Sequence, residues 1–203
     1  MRYAIFYNYK TIGDVLLIIF DANIIPDNIV RNKDVVILYK NNKIIGINIF
    51  NFSEIIKIKA NGLIPVINKK MLSIINDLLK ASDIDELPYQ EESGFKVAKV
   101  LECKEHPDSE HLHICKVDIG NSEPLSIVCG ASNVRIGLKC ICATPFTFMP
   151  NGQQIVPNKL LGIDSFGMLC SGRELNLTGY ENKHGLLELD DDYTTGSDFF
   201  KLM

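Results

Sequence analysis

From residue 94 onward, short apolar runs rich in Val and Ile are separated by Gly, Pro, Asn and Asp. Apolar runs of this kind, bounded by turn-forming residues, are typical of β-strands. A succession of such short strands predicts a small all-β barrel. The five strands are expected at 95–103, 112–119, 125–129, 139–143 and within 155–161.

The first half of the chain contains several strand-like segments and one segment with the periodicity of a helix. Residues 3–7 and 14–20 are predicted strands, and the second of them is expected to be buried on both faces. Residues 35–39 and 43–50 flank a short polar insert, which predicts a β-hairpin. Residues 69–80 carry apolar side chains at helical spacing, with Lys and Asp opposite. This spacing predicts an amphipathic helix laid on a sheet.

A polar stretch that contains a proline separates these two patterns. Residues 83–88 either begin a further short helix or leave the first domain, and residues 88–93 are predicted to form a linker. We therefore expect one domain at 1–87 and a second at 94–203. The first domain contains neither His nor Cys, which removes the commonest catalytic side chains. A folding, docking or dimerisation role is favoured for it.

The distribution of charged residues along the chain is more informative than the net charge. The chain of 203 residues has a net charge of −4. Residues 1–92 carry 11 Lys+Arg and 11 Asp+Glu, residues 93–177 carry 8 of each, and residues 178–203 carry 2 and 6. Because the predicted barrel is neutral, any affinity for a polyanion must come from a local arrangement of charge. The acidic C-terminal tail would repel phosphate, so we expect it on the far side of the barrel, as a solvated edge.

Cysteine usage and hydropathy indicate the compartment. The chain has six cysteines but is not short and shows no secretory signal, which favours reduced thiols in a cytoplasmic protein. The most apolar run, residues 15–20, is too brief to span a bilayer. Four cysteines in apolar strands are predicted to be buried and unreactive: Cys129, Cys140, Cys142 and Cys170.

Several motifs of the second half occur in one order over roughly eighty residues. They lie at 94–100, 105–112, 114–120, 124–131, 133–137 and 165–171. The set closely resembles the tRNA-binding OB-fold domain of free-standing tRNA-binding proteins and of the phenylalanyl-tRNA synthetase beta subunit. With the first-half pattern, the resemblance implies an α+β protein in which a small N-terminal α/β domain precedes a five-stranded OB-fold β-barrel.

The predicted connection between strands one and two is the segment 105–111. Loops of an OB-fold bind oligonucleotides, so His106, His111 and the nearby His113 are candidate RNA contacts through phosphates or base stacking. In the alternative interpretation, the segment is a simple turn and its histidines are ordinary surface residues.

Polar residues near the predicted binding face supply further candidates. Arg135 is positioned to reach a phosphate, and Asn133 either contacts RNA or satisfies the backbone of its own loop. Lys139 and Lys159 are the other cations near this face, although a lone lysine is more often simply solvated.

The resemblance implies that Ser165 and Met168 lie at the tRNA-contacting surface. A hydroxyl bonds phosphate or ribose, and a flexible thioether packs on a base or sugar. In the alternative interpretation, Met168 packs in the core, as its neighbour Leu169 suggests. Ser171 and Glu174 then have the spacing of a capping box at the start of a short helix. Arg173, between them, is expected either to contact RNA or to pair with an acidic residue.

A cluster of soft ligands raises the question of a metal: Cys103, His106, His111, His113 and Cys115. The spacing lacks the compact ligand pairs that closed zinc sites normally use, and strand-borne cysteines usually pack as small hydrophobic residues. We therefore predict neither a metal nor another cofactor.

Three functions remain to be compared. The favoured one is a non-catalytic protein that recognises folded tRNA by shape. The alternative is a protein–protein adaptor, or a homodimer that uses the same barrel, because a fold alone does not determine a ligand. A protein partner of residues 1–87 is a further expectation. An enzyme is disfavoured because no nucleophile–base pair is evident.

Overall fold

Six strands of the first half pair into one antiparallel sheet in the computed structural model, which describes residues 2–22 and 24–203. Met1, the first residue of the predicted N-terminal domain, lies outside the described residues. The strands are β1 Ala4–Tyr7, β2 Val15–Ile19, β3 Asn28–Asn32, β4 Val35–Lys40, β5 Lys43–Phe50 and β6 Gly62–Ile64, in the order β3-β4-β5-β2-β1-β6. The hairpin predicted between β4 and β5 is confirmed. Its turn residues Asn41 and Asn42 have φ values of 49° and 60°, the left-handed conformation that a tight hairpin favours.

One long helix packs on this sheet. It is α3, Lys69–Lys80, and it follows two helices of four residues, α1 Tyr9–Ile12 and α2 Phe52–Ile55. The periodicity of the sequence predicted α3 with these bounds. The side chain of Asn68 caps the N-terminus of the helix, because its oxygen accepts a hydrogen bond from the N–H of Met71 at 2.8 Å. The buried side chains of α3 join those of β1, β2, β4 and β5 in one core.

Beyond α3 the chain leaves this sheet without forming another helix. The Asn76 side chain holds the departing segment, because its amide donates to the carbonyl of Leu87 at 3.1 Å and its oxygen accepts the N–H of Leu87 at 2.9 Å. The chain divides into two compact units, Met1–Glu91 and Glu92–Met203, here called the N-terminal and C-terminal units. No helix in the described part of the chain has both the length and the apolar character needed to cross a membrane.

The C-terminal unit is built on a five-stranded sheet that curls into a half-barrel. Its order is β13-β10-β7-β8-β9, which fits an OB-like fold. The strands are β7 Phe95–His106, β8 Ser109–Asp118, β9 Leu125–Cys129, β10 Lys139–Ala143 and β13 Met168–Cys170. A separate hairpin consists of β11 Asn158–Leu160 and β12 Ile163–Ser165. This hairpin is attached to β9, since the N–H of Phe166 donates to the carbonyl of Ser126 at 2.8 Å.

Two expectations for the C-terminal unit are wrong. The fifth strand of the sheet is β13, whereas the predicted segment 155–161 contributes β11, whose residues are all exposed. The segment 105–111 is no long connection, because β7 and β8 extend through it and leave a two-residue turn at Pro107 and Asp108. Polar side chains on the exposed face of these long strands made the strand ends resemble a loop.

Most of the cysteines lie in the core of the C-terminal unit. All six thiols are free, and Cys129, Cys140, Cys142 and Cys170 are buried, as predicted. Burial raises the pKa of the Cys140 thiol to about 12. A thiol that remains protonated is a poor nucleophile, so these side chains act as small hydrophobic residues.

The acidic tail is part of the folded unit. The N–H groups of Leu187 and Leu189 donate to the carbonyls of Cys170 and Lys139, at 3.0 and 2.9 Å. Further along the tail, the Asp198 carboxylate accepts two hydrogen bonds from Ser93, one from its N–H at 2.6 Å and one from its hydroxyl at 2.8 Å. The last residues of the tail are thereby fastened to the beginning of the unit. The acidic run 190–192 is exposed, as expected of a solvated edge, whereas the segments on either side of it are held against the unit.

Candidate nucleic-acid interface

Met168 and Val128 line two neighbouring cavities of the C-terminal unit. The larger has a volume of about 450 Å³ and is called the cationic cavity after its lining residues Arg173 and Lys183; His184 also lines it. The smaller has a volume of about 160 Å³ and is called the amide cavity after Gln153, Gln154 and Asn158. Met168, at the start of β13, is half-buried and therefore accessible where the two cavities meet.

The wall of the cationic cavity is fixed by a local hydrogen-bond motif. Ser171 donates its N–H and its hydroxyl to the Glu174 carboxylate at 2.8 and 2.7 Å, and the N–H of Glu174 donates back to the Ser171 hydroxyl at 3.2 Å. This arrangement confirms the predicted capping box, although it closes a turn and not a helix. The turn presents Arg173 at the surface.

Arg173 and Lys183 are both exposed at this cavity. Within residues 2–22 and 24–203, Arg173 makes no ion pair or hydrogen bond through its side chain. The ammonium of Lys183 lies 4.3 Å from the centroid of the Tyr180 ring, a favourable cation–π distance. Both cations are therefore accessible to an anionic ligand.

Ser165 is placed differently from the expectation of a surface hydroxyl. It lines the amide cavity but is only 3% exposed, and its oxygen accepts the N–H of Val128 at 3.1 Å. That hydrogen bond joins the end of β12 to β9. The hydroxyl therefore has a structural partner beside Met168.

Arg135 and Asn133 contact the acidic tail. The Arg135 guanidinium donates to both oxygens of Glu188, at 2.9 and 2.6 Å. Asn133 donates to the same carboxylate at 2.9 Å and accepts the N–H of Leu186 at 2.8 Å. These hydrogen bonds lower the pKa of the Glu188 carboxyl to about 2.

The two predicted lysines also have acidic or carbonyl partners. Lys139 donates to the carbonyls of Asp191 and Tyr193 at 2.6 and 2.9 Å, and Lys159 lies 2.9 Å from the carboxylate of Asp164. The acidic tail was expected on the far side of the barrel from these cations, and for Arg135 and Lys139 that is wrong. The apolar pair Leu186 and Leu187 is buried and anchors the tail there, which a count of charges does not reveal.

The three predicted histidines share one hairpin but differ in environment. His106 is 3% exposed, with Nδ1 accepting the N–H of Asp108 at 3.1 Å and Nε2 3.3 Å from the carbonyl of Leu160. His111 is exposed, whereas His113 is half-buried opposite Cys129. His106 is therefore neither a loop residue nor an ordinary surface histidine.

The candidate metal ligands do not come together as a set. Cys103 and Cys115 face each other on β7 and β8, with their sulfurs 3.9 Å apart. Among the described residues, no group of three or more His, Cys, Asp or Glu side chains has an arrangement that could hold a metal ion.

Sequence reasoning missed several residues of this surface. Arg173 and Met168 were predicted and line the cationic cavity, but Lys183 and His184 were not considered. The adjacent Lys183 and His184, directly before Gly185, interrupt an otherwise acidic tail and were a usable signal. The amides of the smaller cavity carried no signal, because isolated Gln and Asn residues are common in turns.

Comparison with known proteins identifies the class. An OB-like sheet with accessible cations beside a cavity is an arrangement suited to nucleic-acid binding. Residues 95–198 match the family described as "Putative tRNA binding domain", and residues 25–87 match a domain of unknown function, DUF4479. The chain belongs to the tRNA-binding-domain family.

Individual relatives agree with this assignment. The chain is 35% identical over 198 residues to "Putative tRNA-binding protein YtpR" of Bacillus subtilis (strain 168), covering 96% of this chain and 98% of that protein. It is 46% identical over 106 residues to the phenylalanine–tRNA ligase beta subunit of Methylococcus capsulatus and 45% identical over 111 residues to that of Lactiplantibacillus plantarum. These two matches cover 52% and 53% of this chain, but 13% and 14% of the ligase subunits. The resemblance drawn from the motifs is confirmed.

Proposed function

We propose that the C-terminal unit binds folded tRNA by shape, without catalysis, through the surface formed by the two cavities at Met168. The observation that carries this proposal is the cationic cavity, where Arg173 and Lys183 are exposed beside an accessible thioether. The unit as a whole has no excess of basic residues, so the placement of these two cations matters more than net charge.

The named relatives support tRNA as the ligand. The relative that matches nearly the whole chain is named as a tRNA-binding protein. Because this chain spans such a small share of the ligase subunits, no ligase activity is proposed for it. In the same proposal, residues 94–203 form the tRNA-binding domain, and residues 1–87 form a separate domain that docks or dimerises.

The test compares two charge-matched double variants. Arg173→Ala/Lys183→Ala removes the cations of the cavity, and Lys99→Ala/Lys116→Ala removes two exposed cations from β7 and β8 that line neither cavity. Fluorescence anisotropy with labelled, refolded tRNA should show about tenfold weaker binding for the cavity variant, because two phosphate contacts are lost. The control should bind within about twofold of the unmodified protein.

Two outcomes would contradict the proposal. One is an equal loss of affinity in both variants, which would indicate nonspecific attraction. The other is equally tight binding of folded tRNA and of an unstructured RNA of the same length, since recognition by shape requires a preference for the folded molecule.

A further inference from the structure

The amide cavity contains hydrogen-bonding groups that the protein itself does not use. In the described part of the chain, the side-chain amides of Gln153 and Asn158 have no hydrogen-bond partner. The amide of Gln154 makes one long hydrogen bond, donating to the carbonyl of Phe146 at 3.4 Å. Three carboxamides thus line a cavity of about 160 Å³, and those of Gln153 and Asn158 are exposed and able to donate to or accept from a ligand.

Apolar side chains and the buried Ser165 hydroxyl share the wall with these amides. Val156 and Leu160 are 49% and 39% exposed, and Met168 is half-buried. Covering this apolar surface with a flat ligand is favourable because it removes the surface from water. The wall offers polar and apolar groups in similar measure, which suits a flat ligand that carries hydrogen-bonding groups at its edge.

The electrostatics of the two cavities differ. Among the described residues that line the amide cavity, none is charged, whereas two cations, Arg173 and Lys183, and one carboxylate, Glu174, line its neighbour. Met168 and Val128 belong to both walls. A ligand with one neutral, flat, hydrogen-bonding part and an adjoining anionic part matches this pair of cavities, which share Met168 and Val128. A nucleotide has that division between base and phosphate.

A buried histidine supports the wall of the amide cavity. The N–H of Asp108 donates to Nδ1 of His106, so the proton of the neutral ring is on Nε2, which faces the carbonyl of Leu160 at 3.3 Å. His106 therefore links the end of β7 to the β11–β12 hairpin that carries Leu160. This makes it a positioning residue for the cavity.

We propose that the amide cavity binds one unpaired nucleobase of a folded RNA, with the adjoining phosphate in the cationic cavity. This inference rests on the proposed function and makes it more specific, because recognition by shape alone needs no unpaired base. RNA-binding proteins read unstacked bases through hydrogen bonds to their edges and apolar contacts with their faces, which the lining of the cavity provides.

The test uses the full-length protein and three RNA duplexes of the same sequence. One is blunt and fully paired, the second carries a single bulged nucleotide, and the third carries the same bulge without its base. The bulged duplex should bind about fivefold more tightly than the other two, since base contacts of this kind have that order of magnitude. Equal binding of the bulged and the baseless duplex would overturn the inference.

Two variants separate this inference from tRNA binding as such. Gln153→Ala/Asn158→Ala should abolish the preference for the bulged base, whereas Asn32→Ala/Asn121→Ala removes two exposed amides elsewhere and should retain it. Arg173→Ala/Lys183→Ala should weaken binding of all three duplexes. If folded tRNA binds but the bulge has no effect, the inference fails and the proposed function survives; if tRNA itself does not bind, the proposed function fails.

Discussion

Arg135 has the chemistry to bind a phosphate, but its side chain stabilises the fold instead. Its guanidinium and the Glu188 carboxylate form a bidentate pair, the most specific geometry available to these groups. Asn133 adds a further hydrogen bond to the same carboxylate. A basic residue in a predicted binding loop therefore stabilises the position of the tail, whereas Arg173 and Lys183 are the accessible cations that line the cationic cavity.

Replacing Glu188 should destabilise the protein in a pH-dependent way. The folded-state pKa of Glu188, about 2, lies below its ordinary value of 4.5, so its stabilising effect is present above about pH 4.5 and is lost as the pH falls toward 2. Because the pair is partly exposed, Glu188→Gln should lower the free energy of unfolding at pH 7 by at most about 1 kcal/mol. Urea unfolding between pH 7 and pH 3 measures the difference, which should shrink as the pH falls.

Asp192→Asn is the control for this measurement. Asp192 is an exposed acid of the same tail, so its replacement changes the net charge equally. A similar loss of stability in both variants would mean that tail charge in general matters, and not the pair with Arg135.

At the scale of elements, α3 depends on Asn68, the residue directly before the helix. The Asn68 side chain accepts the N–H of Met71, one of the backbone donors that a helix start leaves without a partner. Asn68→Ala should therefore lower the free energy of unfolding by about 1 kcal/mol. Ser73→Ala, at an exposed position within α3, should change it by less than about 0.5 kcal/mol. Urea unfolding measures both, and an equal effect would contradict a capping role for Asn68.

The sequence predicted α3 well because a twelve-residue helix has enough turns to show its period. It failed for β13, which has only three residues, Met168–Cys170, and no alternation to detect. That strand is defined by its pairing with β10, a long-range contact that no local pattern contains. The competing segment 155–161 had a better composition but forms an exposed hairpin strand.

The residues of the candidate site likewise fall into those that the sequence predicted and those that it did not. Met168 and Arg173 could be identified because they belong to a compact motif between residues 165 and 175. Lys183 and the amides at 153, 154 and 158 come from segments that meet only in the folded unit. Conversely, Arg135 and Lys139 were chosen for their charge, and their partners in the tail lie more than fifty residues away.

For the whole molecule, a net charge of −4 means that tRNA is not attracted by a general positive field. The acidic tail uses part of its charge against Arg135 and Lys139 inside the C-terminal unit. Arg173 and Lys183 keep their charge accessible at the cationic cavity. In the proposed function, the placement of these two cations, and not the net charge, directs the RNA to this surface.

The salt dependence of tRNA binding should reflect this small number of contacts. If Arg173 and Lys183 supply the phosphate contacts, a plot of log affinity against log salt should have a slope of about −2, since each contact releases about one counterion. Arg173→Ala should make the slope shallower by about one. Arg135→Ala should leave the slope unchanged, because Glu188 already neutralises that guanidinium. An equal change in both variants would show instead that Arg135 exchanges Glu188 for phosphate when RNA binds, and that the tail competes with RNA for this cation.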